Sequence, residues 1–127
     1  MDTRALEELG LTPGEIKVYL ALTKLGETTT GPLVDESHVS VSKVYQILDR
    51  LSRKGLSSHI VKKGIKYFKS ADPNRLLDYL KEKERNLEKQ EINLKEIIPQ
   101  LAEIKGTAIT EETAQVYDGL KGIQTAR

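Results

Sequence analysis

The spacing of hydrophobic positions changes twice along the chain, from a helical period to a strand period and back. Over residues 41–54, Val44, Ile47, Leu48 and Leu51 fall at i, i+3, i+4 and i+7, one face of a helix with Ser40 as a cap in front and Gly55 behind. Upstream, "TPGEIKVYLALTKLG" puts Ile16, Tyr19 and Leu20 on one face, broadened by Val18, Leu22 and Leu25. Thr12 and Glu15 have the spacing of a reciprocal capping box, Pro13 suits the first helical position and Gly26 ends the run. Two shorter helices are expected. One spans residues 3–9, with Ala5, Leu6 and Leu9 apolar and Gly10 as its stop; the other runs from Pro32 to about Ser37 with Leu33 and Val34 inward.

Beyond Gly55, "LSSHIVKKGIKYFKS" places a β-rich run of period 2 on either side of Lys63-Gly64, and Gly64 supplies the positive φ of a tight hairpin. Helix, helix, helix, hairpin is the order of a winged helix, and the two helices joined by "SHVS" have the layout of a helix-turn-helix. The helical period returns at "SADPNRLLDYL", with Asp72 or Ser70 as cap and Pro73 in the first turn. Leu80, Leu87, Leu94 and Leu101 then recur every seven residues. With these at position a, position d reads Leu76, Lys83, Gln90, Ile97 and Ile104, a coiled-coil seam that is polar in its middle.

Pro99 has no N–H to give the carbonyl of Lys95, which predicts a kink or an end near Ile98. "GTAITEET" reads as a linker, and "AQVYDGLKGIQTAR" as a strand, a glycine turn and the start of a helix. The expected fold class is mainly α with a small β-hairpin. A winged helix-turn-helix domain occupies 1–71, a dimerising coiled-coil helix 72–105, and a linker with a strand–helix stub 106–127.

Composition narrows the chemistry. The 127 residues suffice for one small domain with an appendage, and the absence of cysteine removes disulfides, thiol nucleophiles and cysteine-based zinc sites. No apolar run approaches a membrane span or a signal peptide, so a cytoplasmic protein is expected. The net charge of +1 hides blocks of opposite sign. Residues 1–42 carry −4, residues 43–69 carry +7, and the remainder −2. No nucleophile–base pair, phosphate-cradling glycine loop or ligand cluster is visible, so neither enzymatic activity nor a cofactor or metal is expected.

Taken together, "ELGLTPGEIKVYLALTKLG", "VSVSKVYQILDRLSRKGL" and "YFKSADPNRLLDYL" resemble the TrmB-like family of archaeal transcriptional regulators, over about residues 5–80. The resemblance implies a winged helix followed by a dimerising coiled coil, and a DNA-binding repressor or activator. Long members of the family carry a C-terminal effector domain, often sugar-binding, and "AQVYDGLKGIQ" resembles its opening strand and helix. The small-molecule effector is left open.

Placed in a major groove, the helix over 41–54 would offer Ser42, Lys43 and Gln46 to base edges, since Gln suits adenine, Lys reaches guanine acceptors and Ser is permissive. Ser40 belongs to the same surface, and Arg50 and Arg53 are better placed for phosphate. Lys62, Lys63 and Lys66 would meet the backbone from the hairpin, designated the wing (60–68). Bland readings stand beside these. Basic residues often form only a solvated face, Asp49 and Arg53 have the spacing of an i, i+4 pair, and Tyr45 suits core packing as well as a phosphate contact. His38 and His59 read as surface or turn residues.

The expected dimer interface is Leu76, Leu80, Leu87, Leu94, Ile97, Leu101 and Ile104, and the expected target is a palindromic double-stranded DNA site bound by a homodimer. The alternative is a winged-helix protein–protein docking module without sequence-specific DNA binding.

Overall fold

The computed structural model describes residues 1–108. The element order is α1 (Arg4–Leu9), α2 (Pro13–Leu25), α3 (Thr30–Ser37), α4 (Val41–Arg53), β1 (Ser57–Lys62), β2 (Ile65–Ser70) and α5 (Arg75–Ala108). This is a winged helix continued by a long helix. The first compact unit is Met1–Glu84, so it takes in the first ten residues of α5, and the second begins at Arg85.

Local chemistry explains the boundaries. At the start of α2 the Thr12 hydroxyl accepts the Glu15 N–H at 3.1 Å while a Glu15 carboxylate oxygen accepts the Thr12 N–H at 2.9 Å, completing the expected capping box. α3 begins at Thr30, two residues before Pro32, because the first turn of a helix owes no intrahelical N–H and tolerates proline. It closes on His38, which takes the left-handed conformation (φ 61°) usual for glycine. The Ser37 hydroxyl then accepts the Val39 N–H at 3.2 Å and fixes the turn into α4.

Ser40 occupies the N-cap position of α4, but its side chain makes no cap bond; its Oγ lies 3.3 Å from that of Ser42 instead. The apolar stripe of α4 behaves as its spacing predicts, with Val44, Ile47, Leu48 and Leu51 buried. They join Val18, Leu22, Leu33 and Leu56 in one core, where each large side chain contributes about 2 kcal/mol.

β1 and β2 pair antiparallel from Ser57↔Ser70 to Lys62↔Ile65. The two-residue loop Lys63-Gly64 has φ of 51° and 78°, the pair of positive values that a type I′ turn requires. Thr28 exchanges both backbone hydrogen bonds with Phe68, at 2.8 and 2.7 Å, and ties the hairpin to the segment between α2 and α3.

Four expectations change around α5. The helix starts at Arg75, after a turn in which the Asp72 carboxylate accepts the Asn74 N–H at 2.8 Å, so Pro73 precedes the helix instead of opening it. Leu76, expected at the dimer interface, packs with Tyr79 against the core of its own domain. No end falls near Ile98: the helix runs through Pro99 and continues over Gly106 into the stretch expected as a linker. Lys83, a seam position by spacing, donates from Nζ to the Leu9 carbonyl at 2.5 Å and lies 5.6 Å from the Tyr79 ring centre. The expected strand–helix stub lies outside the described residues. No described helix is long and apolar enough to cross a membrane.

Candidate nucleic-acid interface

The outer side of α4 divides along its length. In its first half Ser42, Lys43 and Gln46 are all exposed. Apart from the Ser40–Ser42 contact, no ion pair or side-chain hydrogen bond engages these three among the described residues. Tyr45 is 53% exposed, which sets aside core packing, and its hydroxyl lies 3.4 Å from that of Thr30 at the start of α3.

The second half is tied into the protein. Arg50 Nε donates to Glu15 Oε2 at 3.0 Å, and Lys54 Nζ donates to both Glu15 oxygens at 2.9 and 3.0 Å. Arg53 pairs with Asp49 one turn earlier, as their spacing allows. The Glu15 side chain is only 1% exposed, against 42% for Arg50 and 20% for Lys54. Burial by itself pushes the Glu15 carboxyl up, but hydrogen bonds from Lys54, the Thr12 backbone and Arg50 outweigh it and hold the group below its ordinary value. One carboxylate thus caps α2 and clamps the C-terminal half of α4. Lys54 also sits 5.7 Å from the Tyr79 ring centre, extending the clamp to α5 within the same unit.

Arg50, expected to meet phosphate, thus commits its ε N–H to a buried acid. Sequence reasoning found Glu15 as a cap and missed this second role. The available signal was Arg50 and Lys54 at i, i+4 on the flank of an otherwise apolar helix face.

The hairpin sorts its lysines by strand parity. The register puts His59, Val61, Lys66 and Phe68 on one face, and Ile60, Lys62, Ile65, Tyr67 and Lys69 on the other. Buried Phe68 marks the first face as inward, and there Lys66 joins Tyr45, Asp49, Ser52 and His59 around a cleft of about 200 Å³ between α4 and the hairpin. Lys62 faces the other way, pairs with Glu27 and lies 5.3 Å from the Tyr67 ring centre. That hydrogen bond holds the Lys62 ammonium above its ordinary value. Lys63 stands at the tip in the left-handed region, a conformation costly for any residue with a Cβ.

Of the eight cations between residues 43 and 69, Arg50, Arg53, Lys54 and Lys62 are held by acids. Among the described residues Lys43, Lys63, Lys66 and Lys69 have no ion pair. Three of those four, Lys43, Lys63 and Lys66, lie on α4, the hairpin tip and the face between them. No three His, Cys, Asp or Glu side chains converge to hold a metal among the described residues.

A helix-turn-helix with an exposed polar helix face and a lysine-tipped hairpin defines a winged-helix regulator. The family model of the sugar-specific transcriptional regulator TrmB matches residues 6–74, and the chain belongs to that family. TrmBL2, an archaeal chromatin protein whose structure shows a novel mode of DNA binding, is 26% identical with a TM-score of 0.70. The match covers 84% of this chain and 42% of TrmBL2, so the chain spans less than half the length of that relative. A MarR-family regulator from Silicibacter pomeroyi shares the fold at 18% identity and a TM-score of 0.51, covering 80% of this chain and 78% of its own. The regulator Tm0710 from Thermotoga maritima does so at 16% identity and 0.51, covering 98% and 81%. No curated protein sequence matches.

Proposed function

We propose that the protein is a homodimeric, sequence-specific double-stranded DNA-binding regulator of transcription, with α4 in the major groove and the hairpin on the flanking backbone. The observation that carries this reading is the exposed row Ser42, Lys43 and Gln46 beside wing lysines that have no ion pair among the described residues. Family membership supports it, as does the DNA binding of TrmBL2. Gln46 and Lys43 read base edges, while Ser40, Tyr45, Lys63 and Lys66 meet phosphates. Arg50 acts as scaffold. α5 pairs two copies through Leu80, Leu87, Leu94, Ile97, Leu101 and Ile104, so the target is palindromic with half-sites about 10 bp apart or a multiple of it. Location at the cytoplasmic nucleoid follows from that role.

Selection of genomic fragments by the purified protein tests the reading directly. The expected result is an enriched two-fold symmetric motif, at which Gln46→Ala relaxes one base pair by about 1–3 kcal/mol. Bound fragments without sequence preference would support coating of DNA instead. With three unpaired lysines per protomer at the groove, affinity should fall roughly 10³-fold between about 50 and about 200 mM salt. A flat salt response would favour a protein docking module.

A further inference from the structure

Beyond Glu84 the apolar face of α5 consists of Leu87, Leu94, Ile97, Leu101 and Ile104, each between 43% and 64% exposed, with Gln90 between the first two. Ile98 flanks this seam at position e and is 56% exposed, while Ile92 lies off it. Lys83 is withdrawn by its bond to Leu9, which interrupts the seam between Leu80 and Leu87.

The direction of pairing is written in this stretch. A parallel, in-register pair would put Gln90 against Gln90, and Leu at a with Ile at d is the combination that favours assemblies larger than two chains. Parallel pairing also joins g to e. Here g reads Asn86, Asn93 and Gln100, and e reads Glu84, Glu91, Ile98 and Lys105, so no opposite charges meet.

An antiparallel pair removes each difficulty. Setting Leu87 against the partner's Ile104 brings Gln90 against the partner's Leu101 and Leu94 against the partner's Ile97, three layers that the two-fold axis repeats. Position e then faces e. Glu84 comes within two residues, about 3 Å along the axis, of the level of the partner's Lys105 on both sides, and Glu91 stands in the same relation to the partner's Ile98. No like charges oppose each other. Resting on the homodimer reading above, we infer that a second copy of the chain binds α5 antiparallel in this register, with the axis passing between Lys95 and Glu96.

The absence of cysteine makes the test clean, because introduced thiols report on the seam alone. Full-length Gln90→Cys and Leu101→Cys are purified separately, then oxidised singly and as a mixture, and the products resolved without reductant. In the antiparallel register like positions sit about 16 Å apart along the axis. That is well beyond the roughly 7 Å that a disulfide spans. Neither variant should cross-link alone, and the mixture should form a covalent heterodimer. Cross-linking of each variant with itself would overturn the direction, and a non-covalent dimer that cross-links in no combination would overturn the register. Sedimentation of the unmodified chain as a monomer would instead remove the dimer itself. A charge swap gives a second readout: Glu84→Lys or Lys105→Glu alone should weaken the dimer about 3-fold or more. The double reversal should restore it, and failure to do so counts against the register.

Discussion

The first half of α4 keeps its polar side chains free, whereas the second half, with more positive charge, commits that charge to the protein itself. Among the described residues Ser42, Lys43 and Gln46 have no acidic partner; Arg50 and Lys54 close on buried Glu15, and Arg53 on Asp49. The hairpin repeats the contrast across its two faces, with Lys66 open toward α4 and Lys62 held by Glu27. A block of basic residues therefore overstates the charge available to a polyanion. The acids that neutralise it come mostly from the acidic flank upstream, so charge segregation along the sequence is partly undone by folding.

The largest expected effect comes from removing the clamp. Glu15→Ala strips a buried carboxylate from two cations and a cap, and should cost about 3 kcal/mol. In a domain of this size that corresponds to a fall in melting temperature of roughly 10–20 °C, read by circular dichroism. The pH dependence has a definite sign. The folded-state pKa of Glu15 is lowered below 4.5, so its stabilisation is complete above the ordinary carboxylate range and is lost as pH falls through the lowered value. Glu15→Gln should lack that part of the acid limb. An identical pH profile for Glu15→Gln and the parent would show that Arg50 and Lys54 are not held by charge.

The second effect is a crossed pair. Arg50→Ala should lower stability and leave the salt dependence of DNA binding unaltered, while Lys66→Ala should leave the melting temperature within about 2 °C. Lys66→Ala should also reduce the salt slope by about 1 per protomer. Lys62→Ala serves as the control on the opposite hairpin face, with no change in slope expected. A reduced slope for Arg50→Ala would return that residue to the phosphate-contacting set.

Periodic features were legible in the residues. The capping box, the buried stripe of α4, the hairpin and its turn followed from spacing and from a few special residues, because each depends on neighbours within one turn or one strand. The long-range pairings were not. Nothing local joins Glu15 to residues 35 and 39 positions later, or Lys83 to the Leu9 carbonyl, and both change what a charged side chain is available to do. Pro99 was legible only in part: a lone proline predicts a kink or an end, and α5 continues through it without ending there. Which wing lysines face α4 was legible in principle, since strand parity with Phe68 assigns Lys66 inward and Lys62 outward.

The smallest effect, and the one with opposite signs in two assays, concerns the wing tip. Lys63 occupies the first turn position with φ of 51°, where asparagine or glycine is the favoured residue. A lysine kept at a strained position is the pattern expected when a side chain serves binding more than folding. Lys63→Asn should stabilise the domain by about 0.5 kcal/mol by matching the residue to the turn. The same change should weaken DNA binding on all sequences alike and lower the salt slope, since it removes a cation without touching a base-reading residue. Higher melting temperature with weaker, equally selective binding separates the wing's contribution from that of α4. Unchanged affinity would mean that the tip does not reach the backbone, and would confine the interface to α4 and the face that carries Lys66.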